Sequence, residues 1–270
     1  MIFYFLPFVF LTILTLIESS KRFKFIIKNK YLYYLIATFF IFFIGLRYEV
    51  GCDWEQYIEM FEKYNSITLS GLIERNFFSD QKLQELGHIF ITRISKNIYV
   101  LNLIYAALFS LPLFYFCSKL KSKYFSLLIS YPYYIIVVGM GPIRQAACTS
   151  FLMISIIYLS NKKYYRHLFL TVISLLIHQF SIFFNGLILL ASYPRIREIK
   201  FSKINIFFII IFTSLLIYCS PVLIHKIYVY FAYYKKTTPN GVMIIPPAKS
   251  AIILWIINFI PSFIFLKNKN

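Results

Sequence analysis

The sequence predicts an all-α, polytopic integral membrane protein. Three observations support this: an excess of apolar residues, apolar segments separated by short basic runs, and one long polar stretch. Of the 270 residues, 60% are hydrophobic and 21% aromatic, whereas soluble globular chains are about 45–50% apolar. A soluble fold of this size has no interior large enough for so much apolar surface, so lipid must cover part of it. The composition therefore excludes a soluble enzyme, a secreted disulfide scaffold and a disordered chain.

Transmembrane helices are the first elements to place, and each needs about 20 residues to cross a hydrocarbon core of ~30 Å. Seven apolar segments approach that length and predict about seven full transmembrane helices, over residues 2–17, 31–46, 98–117, 124–140, 145–160, 204–219 and 251–266. The first segment has no basic residue before it. We therefore interpret it as a retained span and not as a cleaved signal peptide.

The orientation follows from the basic residues, because Lys and Arg are concentrated in cytoplasmic loops. The linker 21–30 carries five of them, which places it in the cytoplasm and the N-terminus outside. Alternation of the spans then places residues 47–97 outside and the basic runs at 119–123 and 162–166 inside.

An eighth apolar segment, residues 168–193, is too long and too polar in its middle for an ordinary span. One interpretation is a re-entrant or broken helix pair that turns near His178; two half-helices of about 12 residues each reach about 18 Å into the membrane. This arrangement keeps the basic residues of 195–203 inside. A single long tilted helix that violates the charge rule is the alternative.

The external stretch 47–97 contains eight of the ten acidic residues and is the main polar subregion of a single membrane domain spanning 1–270. Two sets of apolar residues recur in it at helical spacing: Trp54, Tyr57, Ile58 and Phe61, and Leu83, Leu86, Phe90 and Ile94. Each set predicts an amphipathic helix that lies on the membrane or packs over the spans.

Several chemistries find no support in the sequence. The net charge of +18 comes from basic runs between apolar segments, and not from a water-exposed basic face of the kind that binds nucleic acid. The four cysteines lack metal-ligand spacing, and no Gly-rich phosphate loop is present. We therefore expect no nucleotide, no other cofactor, no structural metal and no nucleic-acid partner.

Four short motifs stand in series over about residues 44–190. They are Arg47-Tyr48-Glu49-Val50-Gly51-Cys52-Asp53-Trp54-Glu55-Gln56-Tyr57, Glu85-Leu86-Gly87-His88, Gly141-Pro142-Ile143-Arg144-Gln145 and Leu176-Ile177-His178-Gln179-Phe180-Ser181. In order and spacing this series resembles the EpsG family, polytopic proteins assigned to bacterial exopolysaccharide and O-antigen (Wzy-type) polymerisation. Members of that family usually continue with more spans than this chain.

The resemblance implies a membrane glycosyltransferase, a polysaccharide polymerase in the bacterial inner membrane. It would join oligosaccharide repeat units carried on undecaprenyl pyrophosphate at the external face of that membrane. The implied partners are this lipid-linked oligosaccharide, membrane lipid, and chain-length regulator and flippase proteins. Because the pyrophosphate linkage already stores the energy, no nucleotide is needed, and a divalent ion at the pyrophosphate is left open.

Within these motifs we assign candidate catalytic roles to Asp53, His178 and Arg144. Arg144, together with Arg47, would hold the diphosphate, since a guanidinium offers a fixed pair of donors to phosphate oxygens. Asp53 or His178 would assist the acceptor hydroxyl as a base. The remaining candidate substrate-binding residues are Tyr57, Gln145 and Glu55.

Each candidate also has a structural interpretation. The arginines could snorkel to the interface, Asp53 could cap the helix that follows it, and His178 could bond another helix. Glu55 could be merely solvated, and Tyr57 could be an interfacial anchor. Glu85 and His88 are predicted to form a local structural pair.

Two other function classes compete with the polymerase. A transporter or flippase of lipid-linked saccharide would also place charges along a broken helix, and a non-catalytic scaffold of polysaccharide assembly would need no chemistry. The sequence shows no internal repeat, which would favour a transporter.

Overall fold

The computed structural model describes residues 2–20, 29–51, 53–68, 70–71, 85–179, 181–182, 184–186 and 188. The chain divides into two compact units, residues 1–219 and 220–270, and all the described residues lie in the first. Every regular element among them is helical, which confirms the all-α prediction for this part of the chain. The predicted spans 204–219 and 251–266 lie outside the described residues.

Eight α-helices and one π-helical segment are described in these ranges. The helices are α1 (Ile2–Ser19), α2 (Lys30–Gly45), α3 (Trp54–Ser66), α4 (Leu86–Ile94), α5 (Ile98–Ser118), α6 (Lys123–Ser130), α7 (Ile143–Ser160) and α8 (Tyr164–Ile177); the π-helical segment is Tyr131–Val138. Asparagine occupies the N-cap position of α2 and of α5. The side chain of Asn29 accepts a hydrogen bond from the backbone N–H of Tyr31 at 2.9 Å, and that of Asn97 accepts one from the backbone N–H of Val100 at 2.9 Å. Such caps satisfy the N–H groups that a first helical turn leaves unbonded.

The apolar segments predicted from the sequence coincide with helices wherever the structure describes them. Among the described residues, α5 and α7 are long and apolar enough to cross a membrane, and shorter apolar helices cover 3–19, 30–45, 123–138 and 164–177. The total of about seven spans stays a prediction.

The segment 168–193 is interrupted at His178, where a turn is predicted. Helix α8 ends at Ile177, and His178 has an extended backbone with φ −154° and ψ 118°. Residues 181–182, 184–186 and 188 are again helical. The break is therefore real, whereas the return to the cytoplasmic side is a prediction that extends beyond the described residues.

The helices pack in series, with α2 against α5, α5 against α7, and α7 against α8, while α1 packs against α6. Glu18 fixes this last contact, because its carboxylate accepts the backbone N–H groups of Lys123, Tyr124 and Phe125 at 3.0–3.2 Å. A carboxylate at a helix N-terminus accepts the N–H groups that the first turn leaves unbonded, and its negative charge interacts favourably with the helix dipole. We call this end of the bundle the Glu18 end.

Helices α3 and α4 pack at the opposite end, where α5 and α7 begin, and we call it the Arg144 end. Helix α3 buries Trp54 and Tyr57 as its apolar spacing predicts. Helix α4 instead exposes the predicted apolar residues Leu86, Phe90 and Ile94 by 41–66% and buries a face that includes His88 and Thr92. The face of α4 turned towards the bundle therefore carries polar groups.

Candidate functional site

The first and third sequence motifs meet through a glycine at the Arg144 end. Gly51 has φ +106°, and a Cβ built on it would clash with the carbonyl oxygen of Met140 and lie 3.0 Å from Cα of Gly141. Only glycine accepts both this backbone conformation and this approach. The loop that leads to Asp53 is therefore held on the turn that leads to Arg144.

The second and fourth motifs meet in the same way. A Cβ on Gly87 would lie 2.6 Å from the carbonyl oxygen of Leu176, in the last turn of α8. Because no side chain separates the two backbones there, the start of α4 lies against the end of α8. This contact brings Glu85, which precedes α4, to His178, which follows α8.

Glu85 is the centre of the resulting cluster. Its Oε2 accepts from Nη1 of Arg144 at 2.5 Å, and its Oε1 hydrogen-bonds Nδ1 of His178 and accepts the backbone N–H of Gln179 at 3.3 Å. Arg144 lies in the first turn of α7, so one carboxylate joins residues from three separate parts of the chain. We call Glu85, Arg144 and His178 the Glu85 cluster.

The Glu85 cluster is largely removed from solvent. The side chains of Glu85 and His178 are 5% and 9% exposed, whereas that of Arg144 is 19% exposed. A buried carboxylate is stable only when partners compensate for its lost hydration, so removing one partner of such a pair is costly. Arg144 is the most accessible member, and its Nε has no hydrogen-bond acceptor among the described residues.

The two candidate arginines lie beside rings that are one turn apart on α3. The guanidinium carbon of Arg47 is 5.9 Å from the ring centroid of Trp54, and that of Arg144 is 5.5 Å from the ring of Tyr57. Residues three apart on a helix share a face, with about 5–6 Å between their Cβ atoms. Helix α3 therefore holds both arginines along one side of the site, and Arg47, 5% exposed, is part of it and not a snorkelling side chain.

A buried aromatic group surrounds His88. Nδ1 of His88 is 2.8 Å from the hydroxyl of Tyr105, and the rings of Tyr57 and Tyr64 pack edge-on against the imidazole, with centroid distances of 6.1 and 5.7 Å. Burial, and next the positive charge of Arg144, lower the pKa of His88 to about 3. Burial also raises the pKa of Tyr57. His88 is thus neutral at physiological pH, and it packs against the Tyr57 ring that Arg144 also contacts.

The remaining candidates surround this cluster with different exposure. Asp53 is half-buried at the N-cap position of α3, but its side chain makes no capping hydrogen bond, so the capping interpretation is wrong. Gln145 is half-buried beside Arg144 in the first turn of α7, and Glu55 is exposed on α3.

Glu85 is the residue that sequence reasoning undervalued. The predicted local pairing with His88 does not describe its role, because its carboxylate reaches Arg144 and His178, 59 and 93 residues away. One signal could have identified it: a buried Arg at the start of α7 requires a counter-charge, and an acid-x-Gly element offers one where the backbone can approach closely.

The arrangement supplies cationic donors for an anionic group and an imidazole bonded to a carboxylate. Among the described residues, no group of three or more His, Cys, Asp or Glu side chains could hold a metal ion.

Comparisons with known proteins agree with this picture at the level of the family. The model of the family described as the EpsG family matches residues 30–270, which include all four motifs and every residue of the site. No curated protein matches, and no solved structure matches.

Proposed function

The chain belongs to the EpsG family, a family of Wzy-like polysaccharide polymerases, and from this premise we propose that it polymerises lipid-linked oligosaccharide repeat units. The units would be carried on undecaprenyl pyrophosphate and joined into O-antigen or exopolysaccharide at the external face of the bacterial inner membrane. The observation that carries the proposal is the Glu85 cluster, in which one buried carboxylate holds Arg144 and His178.

The proposed reaction is a glycosyl transfer between two lipid-linked saccharides. The oxygen of an acceptor sugar hydroxyl bonds to the anomeric carbon of the donor sugar while the bond from that carbon to the diphosphate oxygen breaks. The bonding electron pair leaves with undecaprenyl pyrophosphate, and the hydroxyl proton passes to a base on the protein. The protein must therefore stabilise a growing negative charge on one side and accept a proton on the other.

Arg47 and Arg144 take the first task in this proposal. The guanidinium groups lie over the rings of Trp54 and Tyr57, which are one turn apart on α3. Two oxygens of one diphosphate could therefore each accept hydrogen bonds from one arginine. Arginine suits this role because its planar donor fork binds phosphate through two hydrogen bonds at a fixed geometry.

His178 takes the second task, with Glu85 as its orienting partner. In the tautomer that donates the Nδ1 proton to Glu85, the imidazole lone pair lies on Nε2, which is the form that accepts a proton. A carboxylate behind the ring also stabilises the imidazolium that results. Asp53, which is half-buried and belongs to the same motif as Arg47, is the second candidate for the base.

Tyr57, Gln145 and Glu55 complete the proposed site as sugar contacts. Tyr57 and Gln145 adjoin Arg144, while the exposed carboxylate of Glu55 can accept hydroxyl groups from a sugar further out. Chain-length regulator and flippase proteins are the proposed partners.

The test is the glycan made in a deletion strain complemented with wild-type or variant protein. We expect the deletion to leave single repeat units, and wild-type protein to restore long chains. His178→Gln should restore them at about 10²-fold lower yield, the contribution typical of one acid–base residue. Long chains in the deletion strain would refute the proposal, and lipid-linked units accumulating on the cytoplasmic side would identify a flippase instead.

A further inference from the structure

We propose that in the resting protein Glu85 accepts the Arg144 hydrogen bond that the donor diphosphate needs. Binding of the donor then releases Arg144 from Glu85, and the carboxylate keeps its bond to His178. This inference rests on the proposed function, since it assigns the donor a diphosphate. It makes Glu85 a positioning residue that couples donor binding to the activation of the base.

Carboxylate and phosphate compete for the same donors on Arg144. Both present two oxygens to a guanidinium in the same planar geometry, and Nη1 of Arg144 already donates to Oε2 of Glu85 at 2.5 Å. A diphosphate that binds in the plane of the Arg144 guanidinium through Nη1 needs that donor. Its affinity is therefore reduced by the fraction of molecules in which Glu85 holds Arg144.

The two carboxylate oxygens of Glu85 bind different partners in the cluster. Oε2 bonds Arg144, whereas Oε1 bonds His178 and the backbone N–H of Gln179. The carboxylate can therefore lose Arg144 and stay anchored through Oε1 at the end of α8. The exchange needs a small rotation of one side chain and no movement of a helix.

Release of Arg144 also changes the charge that faces His178. While Arg144 pairs with Glu85, the cation offsets the negative charge that faces the imidazole. When the diphosphate takes Arg144, the carboxylate no longer shares its charge with that cation and keeps its bonds to His178 and to the backbone N–H of Gln179. Glu85 is thereby free to orient and stabilise the imidazolium that forms on His178 at the moment the donor is in place.

The test measures binding and turnover separately, with purified protein in lipid nanodiscs. Glu85→Gln keeps the shape of the side chain and removes the competing charge, so undecaprenyl pyrophosphate should bind about tenfold more tightly. Turnover of lipid-linked repeat units should fall about 10²-fold, because His178 loses its carboxylate. Glu62→Gln, an exposed acid on α3, is the matched control and should change neither quantity.

A second variant tests the opposite direction. His178→Phe removes the imidazole that shares Glu85 with Arg144, so binding of undecaprenyl pyrophosphate should weaken severalfold although the introduced ring would not touch the ligand. Tighter binding in Glu85→Gln with weaker binding in His178→Phe supports the exchange. Unchanged or weaker binding in Glu85→Gln, with wild-type protein binding normally, overturns the exchange alone. Wild-type protein that binds no undecaprenyl pyrophosphate overturns the proposed function as well.

Discussion

Two carboxylates, the half-buried Glu18 and the buried Glu85, hold the two ends of this helical bundle together in different ways. At the Glu18 end, Glu18 accepts three backbone N–H groups at the start of α6. At the Arg144 end, Glu85 binds the side chains of Arg144 and His178 as well as one backbone N–H. Both contacts join distant parts of the chain, but only the second uses partners that can exchange ligands or protons.

The difference separates architecture from chemistry. Backbone N–H groups cannot move away from a helix or change charge, so the Glu18 contact can only stabilise the fold. A guanidinium and an imidazole are the groups that bind phosphate and transfer protons. A carboxylate that hydrogen-bonds such side chains is therefore a better indication of a functional site than one that caps a helix.

The largest effect that would test this comparison is the loss of an arginine. Arg144→Ala should lower polymer formation by about 10³-fold, because it removes the cation opposite the leaving diphosphate. Glycan length in a complemented deletion strain measures it.

Arg166→Ala is the matched control at the Glu18 end. Arg166 lies 5.5 Å from the ring of Tyr158, the same distance as Arg144 from Tyr57, but it is exposed. We expect normal chain length for this variant. Equal losses in both variants would contradict the distinction between the two ends.

A smaller but still large effect should follow from a single methyl group at Gly87. Gly87→Ala places a Cβ 2.6 Å from the carbonyl oxygen of Leu176, and a backbone neighbour can yield only by separating α4 from α8. We expect a loss of about 2 kcal/mol in stability and about 10²-fold in activity, since Glu85 moves away from His178. Gly186→Ala, whose added Cβ meets no atom of the described residues within 4 Å, should leave both unchanged; a similar loss there would remove the contact from the explanation.

Acid should weaken the Arg144 end through His88. Its folded pKa of about 3 lies below the unfolded value of 6.5, so the unfolded chain binds the extra proton and stability falls as pH drops below about 6.5. At pH 5 the loss is about 2 kcal/mol, measurable as unfolding in detergent at several pH values. His88→Gln should flatten that part of the curve, and an unchanged slope would contradict the assignment.

The smallest effect is expected at the other carboxylate. Glu18→Ala removes the cap of α6 and should cost about 1 kcal/mol of stability, while the folded protein keeps its activity. Glu18→Gln should cost less, because its amide oxygen still accepts N–H groups. Thermal unfolding measures the first quantity and chain length the second; loss of polymer at unchanged stability would overturn the purely structural role.

The sequence predicted the elements better than the contacts. Apolar length and charge placed helices where α1, α2, α5 and α7 are found, and the polar middle of the segment 168–193 located the interruption near His178. These features depend on neighbouring residues, so local patterns can reveal them. The hydrophobic spacing of α4 predicted an amphipathic helix that lies on the membrane or packs over the spans, and the structure leaves its apolar face exposed while a face with His88 and Thr92 is buried.

The Glu85 cluster was out of reach of that reasoning for a physical reason. Its bonds span 59 and 93 residues, and two glycine contacts between backbones determine them. Motif resemblance assembled the right segments, but which acid faces which base depends on tertiary packing that spacing does not encode.

The pairing of both arginines with one short helix has a consequence for how this chain can diverge. Trp54 and Tyr57 lie on one face because they are three positions apart, and each residue added to a helix rotates the later part of that helix by about 100°. A change of ring, Trp54→Phe for instance, would keep the two rings on one face of α3. A single residue inserted between them would rotate the ring beside Arg47 away from the face that holds the ring beside Arg144. Evolution can thus vary the aromatic residues of α3 more freely than it can vary the count between them.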